Sequence, residues 1–419
     1  MTSEAVRAAA ERVIARCREI ATYTETPGET YRPFLCASAR AVQKLVRGWM
    51  ERAGMSTRVD DVGNLRGVYA GMNGGGGRLL IGSHLDTVPN AGAFDGILGV
   101  VVGLAVVEEL RGERLPFGIE VIGFSEEEGV RFGRPFLGSM ALAGRLDAAL
   151  LGLVDRDGVS VADALVGFGL DPSRLGEAAG DEGLIGFLEV HIEQGPVLED
   201  EHVALGLVQA IVGQTRLLLT FTGASNHAGT TPMERRRDPV AAAAEWVCTV
   251  EVRARSTDGL VATVGSVEAI PGAANVIAAE VVASLDVRHA ENVIRVAAVE
   301  ALVDLAHAAG ERRGVSVSIE TTMEQAAVPM DRELADALER AATRAGHAAK
   351  RMTSGAGHDA MVLAERMPSA MLFLRSPGGV SHHPDERVLP EDVAAAIKTV
   401  LEMMRLLRDE APEWRMRDA

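Results

Sequence analysis

The chain is poor in the residues that would tie it to an oxidising compartment, a bilayer or a nucleic acid. Its three cysteines, Cys17, Cys36 and Cys248, are scattered and odd in number. Neither a disulfide framework nor a paired-cysteine metal site can be built from them, so a reducing compartment, the cytoplasm, is expected. The longest apolar run, Ile97 to Val107, is too short to cross a membrane. The opening MTSEAVRAAAERVIARCREI is charged throughout and lacks the apolar stretch of an export signal. Basic residues are outnumbered, 42 against 59 acidic, which leaves a net charge of −17 and argues against nucleic acid or an anionic membrane as the main partner.

What is present is ordinary for a globular protein: 47% hydrophobic and 24% charged residues. A length of 419 residues is long for one core and points to two domains. Val6, Ala9, Val13, Cys17 and Ile20 recur at helical spacing and predict an opening amphipathic helix, with a second over 38–52 ending at Gly54. RLLIGSH (78–84) reads as a buried strand, ILGVVVGLAVVEEL (97–110) as a buried helix, and FGIEVIGFSEEEG (117–129) as a strand with its exit loop. LIGFLEVHIEQG (184–195) is a further strand ending in polar residues. Such alternation is the α/β class, in which sites form beyond the carboxyl ends of strands.

Near Gly213 the texture changes to alternating or β-branched strands with two Ala-rich helices, and after about Val328 the α/β texture returns. An α+β domain over 213–327, inserted into a discontinuous domain of 1–212 and 328–419, is therefore expected. The glycine-rich GMNGGGG (71–77) lacks the context of a phosphate loop and predicts only a turn.

Four distant segments each place metal-competent groups at the end of a predicted strand: His84 and Asp86 followed by Asp95-Gly96, then Glu126-Glu127-Glu128, then His191, then His382 in GVSHHPDE. Imidazole nitrogen with carboxylate oxygen suits zinc, manganese or cobalt, not calcium or an iron–sulfur cluster. Singly, each piece has an ordinary explanation. Together, carboxylates following an apolar strand call for a cation to offset their desolvation.

HLDTVPNAGAFDG, FSEEEGVRFGRPFLGS, HIEQGPVLE, GASNHAGTTPMERRRD, NVI…LDVRH, SGAGHDA and GVSHHPDE, in this order, resemble the hydantoinase/carbamoylase family of amidases, within the dinuclear, M20-type metallopeptidase-like hydrolases. The resemblance covers nearly the whole chain. It implies a zinc-peptidase-like catalytic domain, an inserted lid and dimerisation domain, a homodimer made through that lid, and two divalent metal ions per subunit, zinc or else manganese, cobalt or nickel. It also implies cleavage of the carbamoyl C–N bond of an N-carbamoyl-L-amino acid by a water activated between the metals, with allantoate or ureidoglycolate as alternative substrates. An aminoacylase or aminopeptidase is disfavoured because such relatives carry a carboxylate where this chain has His191.

Position by position, the resemblance makes Asp95 the carboxylate shared by both metals, with His84 and His191 on one and Glu128 and His382 on the other. Asp86 would hydrogen-bond the free ring nitrogen of His84. Glu127 matches the general base, and His227 a residue that reaches the partner subunit's site to stabilise the oxyanion. Gln194, Asn275, Arg288 and Gly357 match substrate-binding positions, Arg288 being suited to grip a carboxylate. His358 is open between a substrate-facing and a structural role. Glu126, His202, His289, His307 and His347 read as solvent-facing, and His383 takes no ligand role. Two departures stand out: Ala278, where proline is usual, and Arg375, where many carbamoylases carry proline.

Overall fold

The computed structural model describes residues 3–72, 77–178 and 183–410, so the centre of the glycine-rich 71–77 stretch lies outside the described residues. The chain divides into two compact units, Met1–Gln209 with Met330–Ala419, and Ala210–Pro329. It leaves the first unit at Gln209 and re-enters it at Met330, whose N–H donates to the Gln209 carbonyl at 2.9 Å.

Four parallel strands form the centre of the first unit. We number them β1 (Arg78–His84), β2 (Gly118–Phe124), β3 (Leu184–Ile192) and β4 (Ser369–Leu374). They lie in the order β2-β1-β3-β4, with Leu65–Tyr69 antiparallel beside β2 and Leu205–Ile211 antiparallel beside β4. These are the continuous apolar runs of the sequence, because both faces of a parallel sheet are covered. Leu79, Ile81, Ile119, Val121, Leu188, Val190, Ala370 and Leu372 join one large core with helices Ser3–Ala21, Ile97–Glu109, Arg332–Arg344 and Pro390–Asp409. By the two-residue period of a strand, His84 and His191 fall on the other face. Helix Ile97–Glu109 is apolar all round and is buried on every side from Ile97 to Val107. Among the described residues no helix is long and apolar enough to cross a membrane.

In the second unit, Val267–Ile270, Glu280–His289, Gly213–Thr222 and Ser316–Gln325 form an antiparallel sheet in that order. Leu217, Leu219 and Phe221, with Val281, Ala283, Leu285 and Val287, alternate into one core against helices Pro239–Arg255 and Asn292–Arg313. A short pair, Asn226–His227 against Val276–Ile277, stands apart from that sheet.

Of the strands that the sequence reading passed over, Ser56–Val59 and Ala349–Ser354 are short and largely polar, with no apolar pattern to mark them, whereas Leu65–Tyr69 and Leu205–Ile211 are almost wholly buried.

Candidate metal centre

All four central strands of the first unit release their chain at the same end, and that end carries the chemistry. His84 closes β1, Glu126–Glu128 follow β2, His191 is the penultimate residue of β3, and the segment after β4 carries Ser376, Ser381 and His382. Asp95 arrives on the connection from β1 to helix Ile97–Glu109. The next residue, Gly96, has φ +68° and ψ −51°, and the Ile97 N–H donates to the Asp95 carbonyl at 2.8 Å. That three-residue turn is of the hand that strains an L residue. A Cβ at position 96 would stand 2.4 Å from three atoms of the His84 ring. Glycine is what lets the turn close against the imidazole.

Asp95 offers its two oxygens to two different groups of donors. Its Oδ1 lies 3.2 Å from His191 Nε2 and 3.9 Å from His84 Nε2. Its Oδ2 lies 3.0 Å from His382 Nε2, which in turn is 3.9 Å from Glu128 Oε1. Two sets therefore share one carboxylate: His84, Asp95 and His191, and Asp95, Glu128 and His382. Glu127 stands beside both, its Oε2 4.0 Å from His84 Nε2.

The far side of each buried ring fixes its orientation. His191 Nδ1 meets the Ile192 carbonyl at 2.9 Å, and His84 Nδ1 meets the Asp86 carbonyl at 3.0 Å. Both Nε2 atoms are thereby left facing inward, and that of His191 is buried with no hydrogen-bond partner. An orphaned imidazole nitrogen aimed at shared carboxylates fits a divalent cation of hard or borderline character. The nearer contact of Asp86 to His84 is its main-chain carbonyl; its carboxylate stands 3.5 Å from the same nitrogen. That carboxylate instead accepts the N–H groups of Glu127 (3.0 and 3.1 Å) and Glu128 (3.1 Å), so Asp86 holds three residues of the centre at once.

The charges are out of balance in the way a cation would correct. Burial works against the charge on Asp95, but the imidazoles of His191 and His382, 3.2 and 3.0 Å from its oxygens, prevail and hold its carboxyl well below the usual range. Burial raises Glu127 well above it, with the like charges of Glu128 and Asp359 adding to the effect. Burial and the neighbouring Asp95 push Glu128 up to about 7. His382 is raised to about 9, chiefly by its hydrogen bond to Asp95. The site has more carboxylate than its imidazoles can neutralise.

The other singled-out residues are placed as follows. Gln194, at φ +60°, points Nε2 to both Asp95 oxygens at 3.3 Å and to Ser381 Oγ at 3.0 Å. Gly357 abuts the Phe136 ring, where a Cβ would come within 2.8 Å. His358 is buried, its Nε2 2.9 Å from Ser354 Oγ and its ring edge-on to His191 at 4.5 Å between centroids. Arg375 is held by two hydrogen bonds to Asp392, at 2.9 and 2.8 Å, so its guanidinium already has its carboxylate.

Within the second unit, His227 and Asn275 are neighbours: the Ala228 N–H donates to the Asn275 carbonyl at 3.0 Å. The Gly229 N–H donates to His227 Nδ1 at 3.1 Å, which makes that nitrogen the acceptor and leaves Nε2 to carry the proton of the neutral ring. Arg288 forks onto Asp286 at 2.8 and 3.1 Å, two residues back on the same face of the strand.

Three expectations of exposure are corrected. Glu126 is not on the surface but fully buried, because the chain turns inward after β2 to deliver its neighbours. Burial and the charges of Asp86 and Glu128 push its carboxyl well above the usual range. His289 is buried too, its ring spanning the Asp258 carbonyl at 3.0 Å and the Glu291 N–H at 2.8 Å, and His347 is only partly exposed. Sequence reading also passed over Ser381 and Glu386. Nothing local marks them, since their partners lie far away in the chain.

A model of peptidase family M20/M25/M40 matches residues 80–406. The chain is 40% identical to an allantoate deiminase of Arabidopsis thaliana over 94% of its length and 82% of that protein's. It is 38% identical to an N-carbamoyl-L-amino acid amidohydrolase of Geobacillus stearothermophilus, covering 93% of this chain and 96% of the other. Among solved structures, a hydantoinase/carbamoylase family amidase from Burkholderia multivorans superposes with a TM-score of 0.89 at 33% identity, over 94% of this chain and 97% of the other.

Proposed function

The chain belongs to peptidase family M20/M25/M40, and on that footing we propose that it hydrolyses the carbamoyl C–N bond of N-carbamoyl-L-amino acids. It is a metal-dependent hydrolase of linear amide C–N bonds. The observation that carries the reading is the pair of donor sets sharing Asp95, with Glu127 beside them. Bound by His84, Asp95 and His191 and by Asp95, Glu128 and His382, two divalent cations (zinc, or else manganese, cobalt or nickel) would polarise the substrate carbonyl and acidify the attacking water.

Glu127 takes the proton of that water as its oxygen attacks the carbamoyl carbon, then returns it to the departing nitrogen. His227 donates from Nε2 to the carbonyl oxygen as negative charge develops there. Arg288 receives the substrate carboxylate, competing with Asp286 for the same fork. Gln194, Asn275 and the backbone at Gly357 supply neutral contacts. The products are the amino acid, carbon dioxide and ammonia. Residues 213–327 serve as lid and dimerisation domain, and His227 acts on the site of a second copy in a homodimer. The three free cysteines fit the cytoplasm.

A second reading, allantoate as substrate, is favoured by the likeness to an allantoate deiminase; ureidoglycolate is its close variant. Chelated and metal-restored protein, incubated with N-carbamoyl-L-methionine and separately with allantoate, separates the two by ammonia release. Ammonia from neither, with metal bound, would favour a binding protein over an enzyme. Mixing His227→Ala with Glu127→Gln chains should restore part of the activity through hybrid dimers, and no recovery would show that each subunit works alone.

A further inference from the structure

Asp95, shared by the two donor sets, and His382 are brought in by segments nearly three hundred residues apart in the chain, and the Glu386 side chain joins those segments. Glu386, four residues beyond His382, is buried. Its Oε1 accepts two successive backbone amides, those of Phe94 at 2.8 Å and of Asp95 itself at 3.0 Å. Its Oε2 faces Ser381 Oγ at 3.5 Å, and Ser381 Oγ in turn receives the Gln194 amide at 3.0 Å. Its own N–H donates to the His383 carbonyl at 3.0 Å, closing the turn that follows His382. The Asp95 connection is shaped to admit this carboxylate. At Gly92 a Cβ would come 2.4 Å from Glu386 Cβ and 2.5 Å from its Oε1.

We propose that Glu386 is a positioning residue that clamps the Asp95 segment to the His382 segment, holding the shared carboxylate and the exposed histidine in register for metal binding. The proposal rests on reading Asp95 and His382 as metal ligands. His382 needs such a brace: its side chain is 50% exposed, whereas His84 and His191 are held by burial on all sides. A carboxylate that accepts two adjacent N–H groups fixes the backbone of Asp95 more firmly than either bond alone, and so fixes the direction of the side chain that both sets share.

The test compares wild type, Glu386→Ala, Glu386→Gln and Gly92→Ala, each stripped of metal and titrated with zinc against a competing chelator, with thermal stability recorded alongside. Glu386→Ala should weaken zinc binding roughly 10–100-fold, as removal of a ligand-orienting contact does, while Glu386→Gln, which keeps the accepting oxygen, should stay within about threefold of wild type. Gly92→Ala should reproduce the loss with the glutamate still present, and it decides the matter if Glu386→Ala does not fold. Zinc affinity unchanged in Glu386→Ala, or in Gly92→Ala where the other cannot be made, overturns the proposal even if stability falls, because a loop staple alone would give that result. Equal loss in the glutamine and alanine variants also overturns it, since charge and not grip would then be at work. Wild type that binds no zinc would instead overturn the reading of the centre.

Discussion

Replacing Gly96 by alanine adds one methyl group at the tightest point of the centre, and its effect can be worked out before any measurement. The backbone there sits at φ +68° and ψ −51°, where an L side chain is strained. Holding alanine in such a conformation costs about 1–3 kcal/mol. The larger effect is steric. The new Cβ would lie 2.4 Å from Cδ2, Cε1 and Nε2 of His84. Ordinary carbon contacts begin near 3.5 Å, so the ring must retreat by roughly 1 Å. It cannot turn freely, because its Nδ1 is tied to the Asp86 carbonyl at 3.0 Å. Metal–nitrogen distances tolerate shifts of only about 0.2 Å, so a displaced His84 would be lost to the proposed centre as a ligand. We expect Gly96→Ala to weaken one of two zinc equivalents by at least about 100-fold, the upper end for a disturbed outer contact. Chelator competition with metal counting reads the affinity, and urea unfolding of the metal-free protein reads the strain. Two equivalents bound with wild-type affinity would refute the argument, since the methyl would then have found room that the backbone geometry denies it.

Other expectations follow from the same centre. Glu127→Gln should keep its metal complement yet lose about 10²–10⁴-fold in turnover, and full turnover would remove Glu127 from the proton path. Arg288→Ala should raise KM for substrates bearing a carboxylate while leaving kcat nearly intact; an unaltered KM would show that the carboxylate binds elsewhere. Metal-free protein should lose stability as pH rises from about 4.5 to 7. Glu128, raised to about 7, binds its proton more tightly folded than unfolded, so its contribution is complete below the ordinary carboxyl value of 4.5 and is gone above about 7. A shift of that size corresponds to about 3 kcal/mol. His382, raised to about 9, keeps its contribution up to 6.5 and loses it through about 9, so it does not oppose the trend. Thermal melts of chelated wild type and Glu128→Gln across this range check the point: the fall should be shallower in the variant and absent with saturating zinc. Equal slopes would remove Glu128 as its source.

The parts of this fold that were legible in the sequence are those in which a single element states its own environment. Ile97–Glu109 is apolar on every side and could only be a buried helix; Leu217, Leu219 and Phe221 alternate as a half-buried strand must. The potential ligands could be singled out for a related reason, since His84 and Glu128 stand where an apolar strand stops, a place that favours no charge without a partner. What could not be read depends on distant pairing. Glu126 looks like any member of an acidic run until the turn after β2 carries it inside. Asp86 was assigned to His84 through its carboxylate, yet that group is spent mainly on the amides of Glu127 and Glu128. Arg375, which stands in the sequence only as a departure from the usual proline, is occupied by Asp392, and only the arrival of the last helix reveals it.

The exit and re-entry points of the inserted segment are hydrogen-bonded neighbours, Gln209 and Met330. A cassette attached through two adjacent ends asks almost nothing of its host. Its length enters the closure entropy only logarithmically, about 0.6 kcal/mol per doubling. The host sheet could thus have acquired, exchanged or shed such a graft in the course of descent without re-registering a strand, and a short bridge between those two residues marks where an engineer would cut.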